Sequence, residues 1–154
     1  MSHYSPDDYP RAATIGQLLG RAAVIKDRLL DSHLASLDIT AAQFKVLIFI
    51  GRERANTPAD LCRELSLDSG SMTRMLDRLA KKNLLQRLPC AEDRRVVRLA
   101  LSEAGQEIFQ QTPVLVTEAM NELTSGLDGE ELQTLIGLLE KLLRPHTCVP
   151  VLER

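Results

Sequence analysis

Three arginines and two acidic residues stand close together in the segment CAEDRRVVR, residues 90–98. Asp93 precedes Arg95 by two positions, with Arg94 between them. A guanidinium group binds phosphate oxygens or the O6/N7 edge of guanine through paired hydrogen bonds. Ordering a flexible arginine side chain costs up to about 2 kcal/mol of entropy, and a nearby carboxylate holds it in one pose. The segment therefore predicts that Asp93 orients Arg95 toward a polyanion, while Arg94 faces a phosphate.

The charges are unevenly distributed along the chain, although the formal net charge is only −2. Residues 74–98 carry eight Lys and Arg against three Asp and Glu, whereas residues 99–154 carry three against nine. A basic block in an otherwise acidic chain is typical of a local polyanion-binding surface. On charge alone, a solvated charged surface explains the block equally well.

Hydroxyl residues and arginines also occur together over residues 69–78, just before that segment. Small residues at a helix N-terminus let backbone N–H groups approach phosphate, and hydroxyl groups add donors. Arg74 and Arg78 lie four positions apart and therefore project from the same face of a helix. The pattern predicts a DNA-contacting face that contains Ser69, Thr73, Arg74 and Arg78, although an exposed charged helix without a ligand has the same pattern.

The elements that position these residues follow from apolar periodicity and capping signals. Apolar residues recur at steps of three and four over residues 11–37, which predicts one long helix. Thr40 is a typical N-cap for a second helix over residues 41–52. Thr57 followed by Pro58, a capping hydroxyl before a proline at the first helical position, predicts a third helix.

A turn separates this third helix from a fourth, which forms a helix-turn-helix with it. Asp68 or Ser69 caps the fourth helix, and it ends near Lys82. Asn83 follows and tolerates the left-handed backbone geometry that terminates helices.

A β-hairpin and two further helices complete the chain. Two short β-prone runs, residues 84–88 and 96–101, predict the hairpin. Ser102 caps a long helix that follows at once, and Asp128 with Glu131 forms a capping box for the last helix.

This order predicts a single domain over residues 1–154 that is mainly α with a small β-hairpin wing. A winged helix-turn-helix occupies residues 40–101, and flanking helices occupy residues 11–37 and 103–144. In such a unit the second helix of the pair, the recognition helix, enters the major groove of DNA, and the hairpin reaches the neighbouring minor groove.

Residues 39–105 resemble the MarR family of bacterial transcription regulators. Three stretches carry the resemblance: LDITAAQFKVL, TPADLCRELSLDSGSMTRMLDRLAKKNLLQR and EDRRVVRLALSEAG. The last contains an Asp-x-Arg wing signature at Asp93 and Arg95, followed by a Leu-Ser-x-x-Gly helix start. The resemblance implies a homodimer formed by the flanking helices, which represses transcription by binding a pseudo-palindromic operator in double-stranded DNA.

The resemblance also assigns roles to individual residues and implies an effector. Ser71, Thr73, Arg74 and Arg78 resemble the recognition-helix contacts, and Arg95 resembles the wing arginine of the minor groove. Many members of the family release DNA when they bind a small phenolic or aromatic compound. Arg21 and His33 border the apolar stripe of the first helix, where they can meet a carboxylate or phenolate, and are the predicted ligand-binding residues.

Two alternatives to this function remain open at the level of the sequence. Cys90, at the base of the wing among arginines, suits an oxidant-responsive regulator if its thiol pKa is lowered. A winged-helix module that binds another protein rather than DNA has the same element order.

Other classes of protein are disfavoured by what the sequence lacks. It contains no motif of a hydrolase, a metalloprotease or a phosphate-binding loop, so an enzyme is not expected. Three scattered histidines and three widely spaced cysteines predict no metal and no cofactor. No apolar run is long enough to span a bilayer, so we expect a cytoplasmic protein without a membrane partner.

Overall fold

A computed structural model describes residues 4–90 and 96–145. Within these residues the chain forms six α-helices and a two-stranded antiparallel sheet, which confirms the predicted fold class. In chain order, the elements are a 3-10 turn Pro6–Asp8, α1 Tyr9–Leu34, a 3-10 turn Ala35–Leu37, α2 Ala41–Gly51, α3 Pro58–Leu65, α4 Ser69–Lys81, β1 Leu85–Pro89, β2 Val97–Leu101, α5 Glu103–Leu123 and α6 Gly129–Leu143.

The predicted N-caps are confirmed by hydrogen bonds from the first turns of the helices. The side chain of Thr40 accepts a hydrogen bond from the backbone N–H of Gln43, whose own side chain accepts one from Thr40 in return. Thr57 caps α3 in the same way, and Asp68, rather than Ser69, caps α4. Each cap satisfies backbone donors that a helix N-terminus leaves unpaired.

The first long helix is shorter at its C-terminus than predicted. α1 ends at Leu34, a 3-10 turn spans Ala35–Leu37, and Asp38 ends this turn in a left-handed conformation with φ 52°. The carboxylate of Asp31 accepts a hydrogen bond from the backbone N–H of Ala41 at 2.6 Å. The chain therefore turns sharply between α1 and α2, and the corner is held by α1 itself.

The hydrophobic core lies between α2, α3, α4 and the inner face of the hairpin. Fully buried side chains from these helices include Leu47, Leu61 and Leu76. The C-terminal half of α1 joins this core through Leu34 and packs along α5. The N-terminal half of α1 and the whole of α6 remain outside it, since no residue of α6 is buried.

Three elements meet at Ser102, just after β2. The backbone N–H of Ser102 donates to the carbonyl oxygen of Leu84 at 3.2 Å, and its hydroxyl donates to the carbonyl oxygen of Asn83. The hydroxyl oxygen also accepts a hydrogen bond from Gly105 at 3.0 Å, which caps α5. A Cβ atom on Gly105 would lie 1.9 Å from the carbonyl oxygen of Leu84, so only glycine allows this approach.

Within the described ranges, no single helix is long and apolar enough to cross a membrane. Among these residues, only the two segments Ala13–Leu37 and Ala41–Gly51 taken together, with the bend between them, reach the length and apolar composition of a membrane span.

We predict that Gly105→Ala lowers the free energy of unfolding by about 1–3 kcal/mol, because the added methyl group must displace a backbone carbonyl. Urea unfolding of both proteins measures the difference. Gly129→Ala is the control, since a Cβ atom there meets nothing within 4 Å, and it should change stability by less than about 0.5 kcal/mol. A Gly105→Ala protein as stable as the wild type would contradict the close approach of α5 to β1.

Candidate nucleic-acid interface

The first turn of α4 forms a polar, hydrogen-bonded group of side chains. The carboxylate of Asp68 accepts a hydrogen bond from the backbone N–H of Ser71 at 2.9 Å. Hydrogen bonds from the Ser71 hydroxyl and backbone N–H lower the pKa of Asp68, with a smaller contribution from the charge of Arg74. The N-terminus of α4 is thus fixed by an ionised carboxylate that also lies near an arginine.

The predicted contacts of the recognition helix lie on one exposed side of α4. Arg74 donates a hydrogen bond from Nη2 to the hydroxyl of Ser71 at 3.0 Å. Thr73 donates its hydroxyl hydrogen to the carbonyl oxygen of Ser69 at 2.8 Å. Ser69, Thr73, Arg74 and Arg78 are exposed, and Ser71 is half-buried.

The opposite side of the same helix is apolar and packs in the core. Met72, Leu76 and Leu79 are each at most 2% exposed. Because residues three and four apart share a face of a helix, burying these three directs the hydroxyl and arginine side chains outward. The structure therefore places Ser69, Thr73, Arg74 and Arg78 on the exposed part of α4, and their contact with DNA stays a prediction.

An ion pair that the sequence analysis did not identify connects α4 to the hairpin. The carboxylate of Asp77 lies 2.7 Å from Nη2 of Arg87 on β1. Both side chains are about half exposed, at 48% and 44%, so the pair contributes little to stability. Because it joins α4 to β1, it restricts the orientation of one element relative to the other. No short-range sequence signal marks it, because its partners belong to different elements.

The tip of the wing lies outside the described residues, and with it the predicted Asp93, Arg94 and Arg95. The hairpin that carries this tip is described. Leu85 pairs with Leu101 at its inner end and Pro89 pairs with Val97 at its outer end.

Cys90, the residue proposed for an oxidant response, lies at the outer end of this hairpin, directly after β1, rather than at the base of the wing as expected, and 5% of its surface is exposed. Its backbone N–H donates to the carbonyl oxygen of Val96 at 3.2 Å, and Nε of Arg98 lies 3.5 Å from its sulfur. Its burial limits the access of an oxidant to this sulfur.

The two predicted ligand-binding residues lie at different places along α1. Arg21 lines a cleft of about 540 Å³ along the exposed side of the middle of the helix. The residues that line this cleft are Gln17, Gly20, Arg21, Val24, Ile25 and Arg28. A second cation, Arg28, thus lies with Arg21 beside the apolar side chains of Val24 and Ile25, although no sequence pattern marks it as a ligand-binding residue.

His33 contacts α5 instead. Its Nε2 atom lies 2.9 Å from a carboxylate oxygen of Glu122, and its Nδ1 atom lies 3.6 Å from one of Glu118. The structure does not bring His33 and Arg21 into one cleft, and the imidazole already faces two carboxylates.

An exposed, capped recognition helix with arginines on its outer face, followed by a hairpin and flanked by long helices, defines a winged helix-turn-helix DNA-binding protein. Residues 39–97 match the MarR family. The chain is 45% identical over 130 residues to the multiple antibiotic resistance protein MarR of Escherichia coli K12. The aligned residues cover 84% of this chain and 90% of that protein. This chain therefore belongs to the MarR family of transcription regulators.

Solved structures of the E. coli protein have the same fold. The apo form of wild-type MarR superposes with a TM-score of 0.76 at 45% identity, over 83% of this chain and 96% of that one. A cysteine-to-serine variant of MarR in complex with operator DNA gives a TM-score of 0.79 at 41% identity, over 91% of this chain and 99% of that one.

Proposed function

We propose that this protein is a homodimeric repressor that binds a pseudo-palindromic operator through α4 and the wing, and that a small aromatic or phenolic acid releases it from DNA. The observation that carries the proposal is the outer face of α4, where hydroxyls and arginines are exposed over a buried apolar face. The complex of the related E. coli MarR with operator DNA supports it.

In this proposal the first turn of α4 approaches the DNA backbone. The N-terminus of a helix presents backbone N–H groups and a partial positive charge to phosphate, and the hydroxyls of Ser69 and Thr73 add donors. Ser71 and Asp68 hold Arg74 near this turn. Less side-chain entropy is then lost on binding, because the arginine is partly ordered beforehand.

Arg74 and Arg78 contact base edges or phosphates in the major groove, and the wing contacts the minor groove. A guanidinium is suited to the O6 and N7 atoms of guanine and equally to a phosphate. Arg95 enters the narrow, strongly negative minor groove with Asp93 as its orienting partner, and Arg94 contacts a phosphate. The acid orients the arginine, and the arginines bind.

Selection from a random duplex library should return a pseudo-palindrome whose half-site centres are about 10 base pairs apart, one turn of the duplex. Arg74→Ala and Arg95→Ala should each weaken binding of that duplex by about 1–3 kcal/mol. Asp93→Ala should weaken it as well, although it removes a negative charge, because Arg95 loses its orienting partner. Titration at one fixed salt concentration measures all three.

Lys45→Gln is the control for this experiment, since it removes a positive charge from an ion pair between α2 and α1 rather than from α4 or the wing. Tighter binding by Asp93→Ala would contradict an oriented wing arginine. A selection that returned only asymmetric or single-stranded sites would contradict the operator proposal, and protein binding without any duplex binding would favour the interaction module.

The dimer interface in this proposal is the apolar surface that the flanking helices leave exposed. Such a surface is larger than a monomer usually exposes to water, and a two-fold dimer covers it with the same surface of a second copy. The exposed large apolar side chains of α1 and α6 are Tyr9, Ile15, Leu18, Leu19, Val24, Ile25, Leu135, Ile136, Leu138, Leu142 and Leu143.

Leu138→Glu should convert the dimer to a monomer, because each charge would be buried without a partner in the interface. Leu138 is 60% exposed in the single chain, so the change leaves the fold intact. Sedimentation measures the mass, and Gln133→Glu, which adds the same charge at an exposed polar position of α6, should remain dimeric. A dimeric Leu138→Glu protein would place the interface elsewhere.

The effector proposal concerns the cleft along the middle of α1, which borders the proposed dimer interface and shares Val24 and Ile25 with it. Arg21 and Arg28 supply two cations beside Val24 and Ile25, a combination that suits the carboxylate and the ring of an aromatic acid. His33 stays a predicted ligand residue. Its contacts with Glu118 and Glu122 also give it a structural role, since they join α1 to α5.

Benzoate- and phenol-type compounds should release the protein from its operator, and Arg21→Gln should raise the required concentration about tenfold or more, because a hydrogen bond to a charged group is lost. A DNA-release assay measures both effects, with Gln133→Glu as the control variant. Release by peroxide alone, abolished by Cys90→Ser, would instead establish the oxidant-responsive alternative.

A further inference from the structure

Lys82 connects the end of the recognition helix to the corner between α1 and α2. It follows α4 directly, and its Nζ atom lies 3.1 Å from Oδ2 of Asp38. The same ammonium group donates a hydrogen bond to the backbone carbonyl oxygen of Asp38. The two residues are 44 positions apart in the chain, so the contact is tertiary.

The corner that Lys82 contacts is held firmly on its other side. Asp38 is in the left-handed conformation, and its backbone N–H donates to the carbonyl oxygen of Ala35 at 3.0 Å. Ile39, the next residue, is 3% exposed. The carboxylate of Asp31 on α1 binds the first N–H of α2. Lys82 therefore attaches α4 to a segment that is fixed to the flanking helix α1.

This contact bears on the geometry of a dimer. In a two-fold dimer held by the flanking helices, the separation of the two recognition helices depends on the angle between each α4 and its own α1. The backbone of α4 packs chiefly against α3 and β1, and these elements belong to the same winged unit. The Lys82–Asp38 contact links this unit to α1 at the C-terminus of α4.

We infer that Lys82 is a positioning residue that sets the distance between the two recognition helices and hence the half-site spacing that the dimer accepts. The inference rests on the proposed function, because it concerns a dimer bound to an operator. The ion pair is largely exposed, with 32% of the Lys82 side chain and 92% of the Asp38 side chain accessible. Such a pair adds little to overall stability, so its effect is on orientation.

The sign of the charge change separates this role from a direct contact with DNA. If Lys82 bound phosphate, Lys82→Gln would weaken binding equally at every half-site spacing and would reduce its salt dependence. Asp38→Asn would then tighten binding. If Lys82 positions α4, both variants relax the spacing preference, although they change the charge in opposite directions. Asparagine also tolerates the left-handed conformation, so Asp38→Asn keeps the corner folded.

The experiment uses the full-length dimer and the operator duplex selected by the wild type. Further duplexes carry the same half-sites moved one or two base pairs closer together or further apart. Dissociation constants at one salt concentration give, for each protein, the dissociation constant at the altered spacing divided by the dissociation constant at the selected spacing. We expect this ratio to fall about threefold to tenfold in Lys82→Gln and in Asp38→Asn, the scale of one exposed ion pair in each protomer.

Two variants complete the test. The double variant should relax the spacing preference no more than either single one, since both remove the same contact. Arg63→Gln is the control, because Arg63 is exposed and pairs with Asp60 within α3, so its loss removes an ion pair without changing a link between the winged unit and α1. It should keep the wild-type ratio.

An unchanged ratio in Lys82→Gln and Asp38→Asn, or a uniform loss of affinity in Lys82→Gln with tighter binding by Asp38→Asn, would overturn the inference. These outcomes leave the proposed function intact, because the wild type still selects and binds a spaced operator. A wild type that selects no duplex contradicts the proposed function itself. Thermal unfolding of each variant shows whether it is folded, and either of the two single variants suffices for the comparison.

Discussion

The small cluster around Ser102 is the constraint on which the arrangement of the other elements depends. Through one side chain and one backbone N–H, Ser102 contacts the turn after α4, the residue before β1 and the first turn of α5. The absence of a side chain at Gly105 allows α5 to begin against the backbone of Leu84. The contacts of Ser102 therefore fix the orientations of α4, the hairpin and α5 relative to one another.

Three acidic residues that contact or lie near cations of α4, of the residue that follows it and of β1 have a consistent structural use. Asp68 lies at the first turn of α4 near Arg74, Asp77 pairs with Arg87, and Asp38 pairs with Lys82. Each carboxylate limits the positions that a cation can take, at the expense of net positive charge. A surface built in this way attracts DNA less strongly at long range than a purely basic one, and it relies more on the placement of each cation.

The helix α1 combines three different surfaces along its length. Its exposed apolar side chains extend from Tyr9 to Ile25, and Arg21 and Arg28 lie beside the last of them. Its C-terminal half packs on the core through Leu34 and faces two carboxylates of α5 through His33. It ends in the corner that contacts Lys82. One continuous element thus extends from the apolar surface of the flanking helices to the end of the recognition helix.

The sequence by itself determined the order of elements, most helix N-termini and the exposed face of α4. Caps at Thr40, Thr57 and Asp68 act on backbone groups within three residues, and helical periodicity acts within a turn or two, so short-range patterns are sufficient to locate them.

Only the tertiary structure decided which charged residues meet. The partners Asp77 and Arg87, Asp38 and Lys82, and His33 and Glu122 are 10, 44 and 89 residues apart. The same applies to the end of α1 at Leu34 and to the separation of His33 from the cleft at Arg21. Contacts of this kind depend on how whole helices pack against one another. The energy of that packing depends on side chains from several elements at once, and a local sequence pattern does not contain this information.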